Sequence, residues 1–370
     1  MAERSSIRTG WIFSELYLWH DTGRHNLFHP PGLTTQPGVH AENEETKRRF
    51  VNLMEVSSLA DRLVRIKPRA AVDEELLRFH TPEHLEFLGN LCAAGGGMAG
   101  DTTPAGPASY EIAKLSAGGV LEAVDAVVTG RVDNAYVLSR PPGHHAERNR
   151  AMGFCLLANG ILGVEHARAA HNINRIAIVD WDVHHGNGPE TAYYSDPDVL
   201  TISLHQDNLF PTDRGAACET GAGDAVGANI NIPLPAGSGS GAYHAAFERV
   251  VIPALEEFRP ELIFVSSGFD ASAYDPLGRM MLSSEDYRYF THQLNAVANS
   301  HANGRMILHH EGGYSAAYVP YCGLAVLEEL SSHTTGIKDE FLESINGYGA
   351  QSLQPHQEAI INNVAAVVGI

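Results

Sequence analysis

A chain of 370 residues, 44% of them hydrophobic and 19% charged, is long and apolar enough to bury a large core. Its 25 basic against 44 acidic residues leave a net charge of −19, which argues against nucleic-acid phosphate as a direct partner. An acidic surface serves solubility, and equally would attract a cationic amine or a lysine-bearing peptide. The four cysteines, Cys92, Cys155, Cys218 and Cys322, form no Cys-x-x-Cys pair, which suits a reducing compartment and excludes a thiolate zinc cage. The start, Met1 to Arg8, is charged and lacks an apolar h-region, and no apolar run is long enough to span a bilayer. A cytoplasmic protein without a membrane partner is expected.

In chain order, residues 10–18 read as a first strand, and 20–43 as a long loop punctuated by Pro30-Pro31-Gly32. Loops of that length are often lids or subunit contacts. Helical periodicity runs over 44–63 through Phe50, Leu53, Met54 and Leu59, with shorter helices at 73–77 and 82–92. A glycine-rich loop, 93–109, precedes a helix at 110–129. From there the pattern is regular. Strands are expected at 135–139, 176–180, 199–204, 229–232, 262–267 and 306–309, and helices at 156–170, 243–258, 284–299 and 325–330. Residues 331–370 read as a polar connection and a C-terminal helix at 355–368. Strands alternating with helices imply right-handed crossovers and a mainly parallel sheet covered on both faces, a three-layer α/β/α single domain over 1–370.

The run from Arg175 to Gly188 begins as a buried strand and ends in Asp180, Asp182 and His184, at alternate positions. In extended backbone such positions share one face, so two carboxylates and an imidazole would aim at one point, where a catalytic divalent metal is expected. Ligands of parallel sheets bind beyond the carboxyl ends of the strands. Those ends also carry His144-His145, Gly268-Phe269-Asp270 and Glu311-Gly312-Gly313-Tyr314. Singly, an Asp at a strand end is more often a helix cap, and Gly-Gly-Tyr a turn beside a core aromatic. Jointly, on one sheet edge, they make a hydrolytic set.

The motifs Arg-Pro-Pro-Gly-His-His (140–145), Met-Gly-Phe-Cys (152–155), Asp-Trp-Asp-Val-His-His-Gly-Asn-Gly (180–188), Ser-Leu-His-Gln (203–206), Ser-Gly-Phe-Asp-Ala (267–271), Asp-Pro-Leu-Gly-Arg-Met (275–280) and Glu-Gly-Gly-Tyr-Ser (311–315) resemble the class II-type histone deacetylases. The likeness is strongest to bacterial histone deacetylase-like amidohydrolases and acetylpolyamine amidohydrolases, over about residues 110–330 with weaker echoes before them, leaving 331–370 as a C-terminal extension. It implies the arginase/deacetylase fold and a zinc-dependent amidohydrolase acting on acetylated lysine or polyamines. It places the zinc ligands on Asp182, His184 and Asp270, leaving positions open for water and substrate. His145 would be general base and later acid, paired with Asn187, and His144 would pair with Asp180. Another branch of the family has Asp at the Asn187 position; a neutral Asn should orient His145 without raising its basicity as a carboxylate would. Tyr314 would donate to the oxyanion; relatives with His there deacetylate poorly. The resemblance also implies potassium held by Asp180, Ser203 and backbone carbonyls of Asp182, His184 and Leu204. Phe154 and Phe210 would wall an acyl-lysine tunnel with Leu277 at its mouth, and Asp101 would grip substrate at the rim. A homo-oligomer with contacts through the 20–43 loop is expected.

Ureohydrolases share this fold but need Asp-x-His-x-Asp and Asp-x-Asp for two metals. Here Gly186 and Ser272 stand where the additional carboxylates would be, which excludes that reading. A non-catalytic acyl-amine-binding protein would have lost a ligand, His145 or Tyr314, and none is lost.

Overall fold

The computed structural model describes residues 7–349 and 351–370; the charged start, Met1–Ser6, lies outside them. Eight strands form the main sheet: β1 (Thr9–Ile12), β2 (Val64–Ile66), β3 (Asn134–Val137), β4 (Ile176–Asp180), β5 (Val199–Gln206), β6 (Asn229–Leu234), β7 (Leu262–Ser267) and β8 (Met306–His310). All neighbours pair in parallel, in the order β6-β5-β4-β7-β8-β3-β1-β2.

The strands are apolar throughout because both faces are covered. In β4, Ile176 and Ile178 enter one core while Ala177 and Val179 enter the other. Leu262 and Phe264 alternate in the same way with Ile263 and Val265 in β7. One core is closed by helices Pro82–Ala93, Ser109–Val128 and Asn159–His171, and the opposite one by Glu45–Val56, Ser284–His301, Val319–Ser331 and Pro355–Val368. The three-layer α/β/α reading holds.

The winding positions the site. The chain lays down β1, β2 and β3 on one flank and crosses to build β4, β5 and β6 on the other. It then returns to insert β7 and β8 between β4 and β3. The carboxyl ends of β3, β4, β7 and β8 are therefore adjacent, and this reversal is where such sheets bind ligands.

Several elements differ from expectation. The first strand stops at Ile12, and Glu15–Trp19 is a 3₁₀ turn capped by Ser14, whose side chain accepts the Leu16 N–H. The expected helix 44–63 ends at Val56, and the chain then forms edge strand β2, too short to show alternation. The 93–109 loop holds two strands, Gly97–Asp101 and Thr103–Ala105, which form a small sheet with Ala151–Met152. Its glycines hide the strand because the backbones approach closely: a Cβ at Gly100 would lie 1.7 Å from the Ala151 carbonyl oxygen. The helix expected at 325–330 starts at Val319, with Pro320 in its first turn. Helices Asn187–Tyr193 and Leu342–Asn346 were not expected. Among the described residues, no helix is long and apolar enough to cross a membrane.

Candidate active site

Strand geometry does not align Asp180, Asp182 and His184, because β4 ends at Asp180 and the next residues bend. Two side-chain turns do the aligning instead. The Asp182 N–H donates to Asp180 Oδ1 (3.0 Å), and the His184 N–H to Asp182 Oδ1 (2.9 Å). Asp270, after β7, completes the group: His184 Nδ1 lies 3.0 Å from both Asp182 Oδ1 and Asp270 Oδ2. Each carboxylate keeps its other oxygen on the backbone, with Gly312 N–H donating to Asp182 Oδ2 and Val183 N–H to Asp270 Oδ1, both 2.7 Å. One oxygen per carboxylate and one ring nitrogen face a common centre, and all three atoms lie within 4.8 Å of one another. That spacing fits a single ion with bonds of about 2.0–2.2 Å.

Electrostatics supports a cation here. Burial opposes ionisation of Asp182, but the His144 and His184 imidazoles outweigh it and hold the carboxyl below its usual range. Burial and the Asp182 charge push Asp270 up to about 8. His184, despite burial, is raised to about 10 by its bonds to both carboxylates. The pocket stabilises positive charge, and the donor set Asp₂His can supply it with a divalent ion.

Gly312 is a steric requirement: a Cβ there would sit 2.1 Å from Asp270 Oδ2 and 2.6 Å from Asp182 Oδ2. Gly312→Ala is expected to spread the ligands, with lower metal occupancy by elemental analysis and a loss of about 1–3 kcal/mol in denaturant melts. Unchanged occupancy would show that the cage tolerates the displacement.

The tandem histidines leave β3 side by side, ring centroids 3.9 Å apart. His144 Nδ1 meets Asp180 Oδ2 at 2.9 Å. His145 Nδ1 meets Asn187 Oδ1 at 2.7 Å. The Asn187 amide nitrogen donates to the His145 carbonyl (3.1 Å) and to Glu147 Oε1 (3.0 Å). Both partners only accept, so the amide oxygen must face His145. His145 therefore carries its proton on Nδ1 and presents a free Nε2. Burial, with His144 and His184 nearby, holds His145 well below its ordinary value, so it is a neutral base. Burial disfavours charge on His144 too, but Asp182 and Asp180 override it and hold His144 well above its ordinary value.

A cavity of about 280 Å³ descends onto this floor, lined by Phe28, Thr102, His145, Gly153, Phe154, His184, Leu209, Phe210, Leu277 and Tyr314. Phe154 and Phe210 stand in its wall with Leu277 and Tyr314. Phe154 holds a left-handed φ of 69°, unusual for an aromatic, with its N–H donating to Thr103 Oγ1. The Tyr314 N–H is fixed on Asp275 Oδ2 at 2.6 Å. Burial raises the Tyr314 hydroxyl well above the usual phenol value, so it remains a donor. Asp101 is exposed and does not line the cavity; its carbonyl accepts the Gly153 N–H, and Thr102 provides the wall. Ser203 pairs in register with Asp180, its Oγ 2.9 Å from His205 Nδ1 and 3.3 Å from the Gly186 N–H, and Leu204 is buried beside it.

Sequence reasoning missed the supports. Glu311, fully buried, accepts the N–H groups of Gly143 and His144 at 2.7 and 3.0 Å and pairs with His309, so it holds the tandem-histidine loop. Asp275 anchors Tyr314, Leu277 and Gly278 together. Both are carboxylates inside motifs quoted above, and that was the available signal. Phe28 and Leu209 lie in irregular loops, which carry none. Gly186, read as marking a missing second-metal carboxylate, has a further cause: a Cβ there would stand 2.5 Å from Asp180 Oδ2.

The model of the histone deacetylase domain matches residues 40–330, taking in part of the weaker likeness before 110. The chain is 51% identical to the histone deacetylase-like amidohydrolase of Pseudomonas aeruginosa over 341 residues, covering 91% of this chain and 90% of that one. It is 34% identical to a probable deacetylase of Archaeoglobus fulgidus, covering 87% and 86% respectively. In structure it resembles the crystallised HDA15 HD domain, with a TM-score of 0.85 and 30% identity over 98% of this chain and 96% of that one.

Proposed function

The chain belongs to the histone deacetylase family, whose members act on amide bonds, and on that premise we propose that it is a zinc-dependent amidohydrolase. Its substrates would be acetyl or related acyl amides of lysine side chains or polyamines. The observation carrying this reading is the convergence of the Asp182–His184–Asp270 cage, the free His145 Nε2 and the Tyr314 ring at one narrow cavity. A zinc ion held by those three ligands would polarise the amide carbonyl and acidify a water.

The remaining work falls to side chains. Phe154 and Phe210 wall the tunnel with apolar surface, which suits a neutral acyl-amine stem and keeps water away from the reacting amide. His145 Nε2 takes the proton of the attacking water, and Asn187 keeps the ring in the required tautomer. The same nitrogen then protonates the leaving amine. Tyr314 donates its hydroxyl to the oxygen that gains charge as the carbonyl carbon becomes tetrahedral. The His144–Asp180 pair places positive charge beside the cage. The negative overall charge suits attraction of a polyamine or basic peptide.

Around this centre, potassium would occupy the junction of β4 and β5, using Asp180, Ser203 and the carbonyls of Asp182, His184 and Leu204; the register pairing Asp180 with Ser203 supports it. Asp101, exposed beside the wall residue Thr102, would meet substrate backbone at the rim. The 20–43 loop supplies Phe28 to the cavity and exposes Leu33 and Val39, which supports a homo-oligomer that narrows the entrance. The four unpaired cysteines fit a cytoplasmic setting. One domain spanning 1–370 is supported by the last helix, Pro355–Val368, which adds Ile361 and Val364 to the core.

The test is turnover by one zinc-loaded preparation of acetyl-lysine peptides, acetylputrescine, acetylspermidine and longer-acyl lysines, with Tyr314→Phe alongside. Tyr314→Phe should lower kcat by about 10²–10³ with KM little changed, the scale for losing one oxyanion donor. Equal turnover by the variant would remove Tyr314 from the chemistry, and no turnover of any acyl amine would sink the proposal.

A further inference from the structure

Two core-covering helices on one face of the sheet, Ser109–Val128 and Asn159–His171, bring three further ligand-type side chains together. His166 Nε2 and His171 Nε2 lie 2.8 and 2.7 Å from the same oxygen, Asp125 Oδ1. The two rings are inclined at 78° with centroids 5.8 Å apart, so they converge on Asp125 without stacking on each other. His171 precedes the amino end of β4, whereas Asp180, Asp182 and His184 follow its carboxyl end. The cluster thus lies at the opposite edge of the sheet from the catalytic cavity, and nothing in the proposed reaction uses it. We propose that Asp125, His166 and His171 form a second, separate site for a borderline transition-metal ion such as Zn²⁺ or Ni²⁺.

The chemistry favours that class. Two imidazoles and one carboxylate are the ligands that zinc and nickel take, whereas calcium and magnesium prefer all-oxygen sets. His166 is buried, while the Asp125 side chain is 37% exposed, so the pocket is anchored on one side and open to water ligands on the other. The imidazole bonds hold Asp125 at about 2, so the carboxylate is ionised at any working pH. The neighbouring charges define how the site loads. Arg78 Nη1 lies 2.8 Å from His166 Nδ1, and arginine only donates, so without metal the ring proton sits on Nε2 and points at Asp125. A metal on Nε2 shifts that proton to Nδ1 and displaces Arg78. Glu75 Oε1, 4.0 Å from Nδ1, can then accept it, although Arg69 already holds that carboxylate, and Arg69 also holds Glu122. This tautomer change makes binding weaker than at a preformed site.

The second site is independent of the proposed reaction, so a difference in bound metal tests it. Full-length wild type and His171→Ala are dialysed to equilibrium against buffer at a fixed free Zn²⁺ concentration and analysed for bound metal per chain. Wild type should hold one more equivalent than the variant, with kcat on an acetyl-lysine peptide the same in both. Equal metal content in the two proteins would overturn the site. Should His171→Ala fail to fold by circular dichroism, Asp125→Asn, nearly the same shape, carries the same comparison. Retention of the extra equivalent in Asp125→Asn would also overturn it.

Discussion

His145→Ala is expected to keep its metal and lose about 10²–10⁴ in kcat, the range for removing a positioned general base. The geometry separates base from ligand. His145 points Nδ1 at Asn187 at 2.7 Å, and its ring centroid stands 5.9 Å from that of His184, outside the group formed by Asp182, His184 and Asp270. The supports make the ring a base rather than an acid at rest. Asn187 is held by the His145 carbonyl and Glu147, and Glu147 is in turn held by Arg214 at 2.5 Å. That relay reaches His145 through a neutral amide, whose hydrogen bond raises the imidazole less than its surroundings lower it. Burial and the neighbouring histidines lower it, which places the acid limb of the wild-type kcat/KM profile below the ordinary histidine range. The required form is the deprotonated one, so activity should rise with pH through that limb and then level. In His145→Ala the limb should vanish along with most of the rate. Loss of metal from the variant would make His145 a ligand, and an unchanged kcat would give the proton transfer to another group.

What the sequence disclosed follows from where chemistry is concentrated. The strands β4, β7 and β8 are apolar runs buried on both faces, so their composition announces them. The candidate site residues cluster at their ends in short motifs, so Asp182, His184, Asp270, His145 and Tyr314 could be picked out as candidates before the structure brought them to one sheet edge. The reason first given for the alignment of Asp180, Asp182 and His184 was incorrect, because side-chain turns rather than strand alternation bring them together. Strand β2 escaped because three residues at a sheet edge carry no period. Glu311 and Asp275 escaped as supports because a buried carboxylate that accepts backbone N–H groups looks, in sequence, like any other acidic residue. The loop that Glu311 holds, at Gly143 and His144, lies far along the chain, and the insertion of β8 beside β3 brings the two together.

Stripping the metal with a chelator is expected to abolish deacetylation, and added zinc to restore it. The same experiment should change stability in a pH-dependent way that the catalytic assay cannot report. In the chelated protein the buried Asp182 and Asp270 have His184 as their shared cationic partner. His184 is raised to about 10 and Asp270 to about 8, both above their ordinary values, so the folded state binds more protons than the unfolded chain. By linkage, stability then falls as pH rises through the interval between the unfolded and folded values. The His184 contribution is intact below about 6.5 and is lost towards 10. In the zinc-loaded protein His184 is neutral and both carboxylates are ionised, so this dependence should disappear. Zinc at about 1,000 times its Kd should add roughly 4 kcal/mol. Thermal melts of chelated and zinc-loaded protein from pH 6 to 9 should therefore diverge, with the gap widening as pH rises. A constant gap would mean that the proton on His184 does not take the metal's place. Full turnover after complete metal removal would refute the metal-dependent mechanism itself.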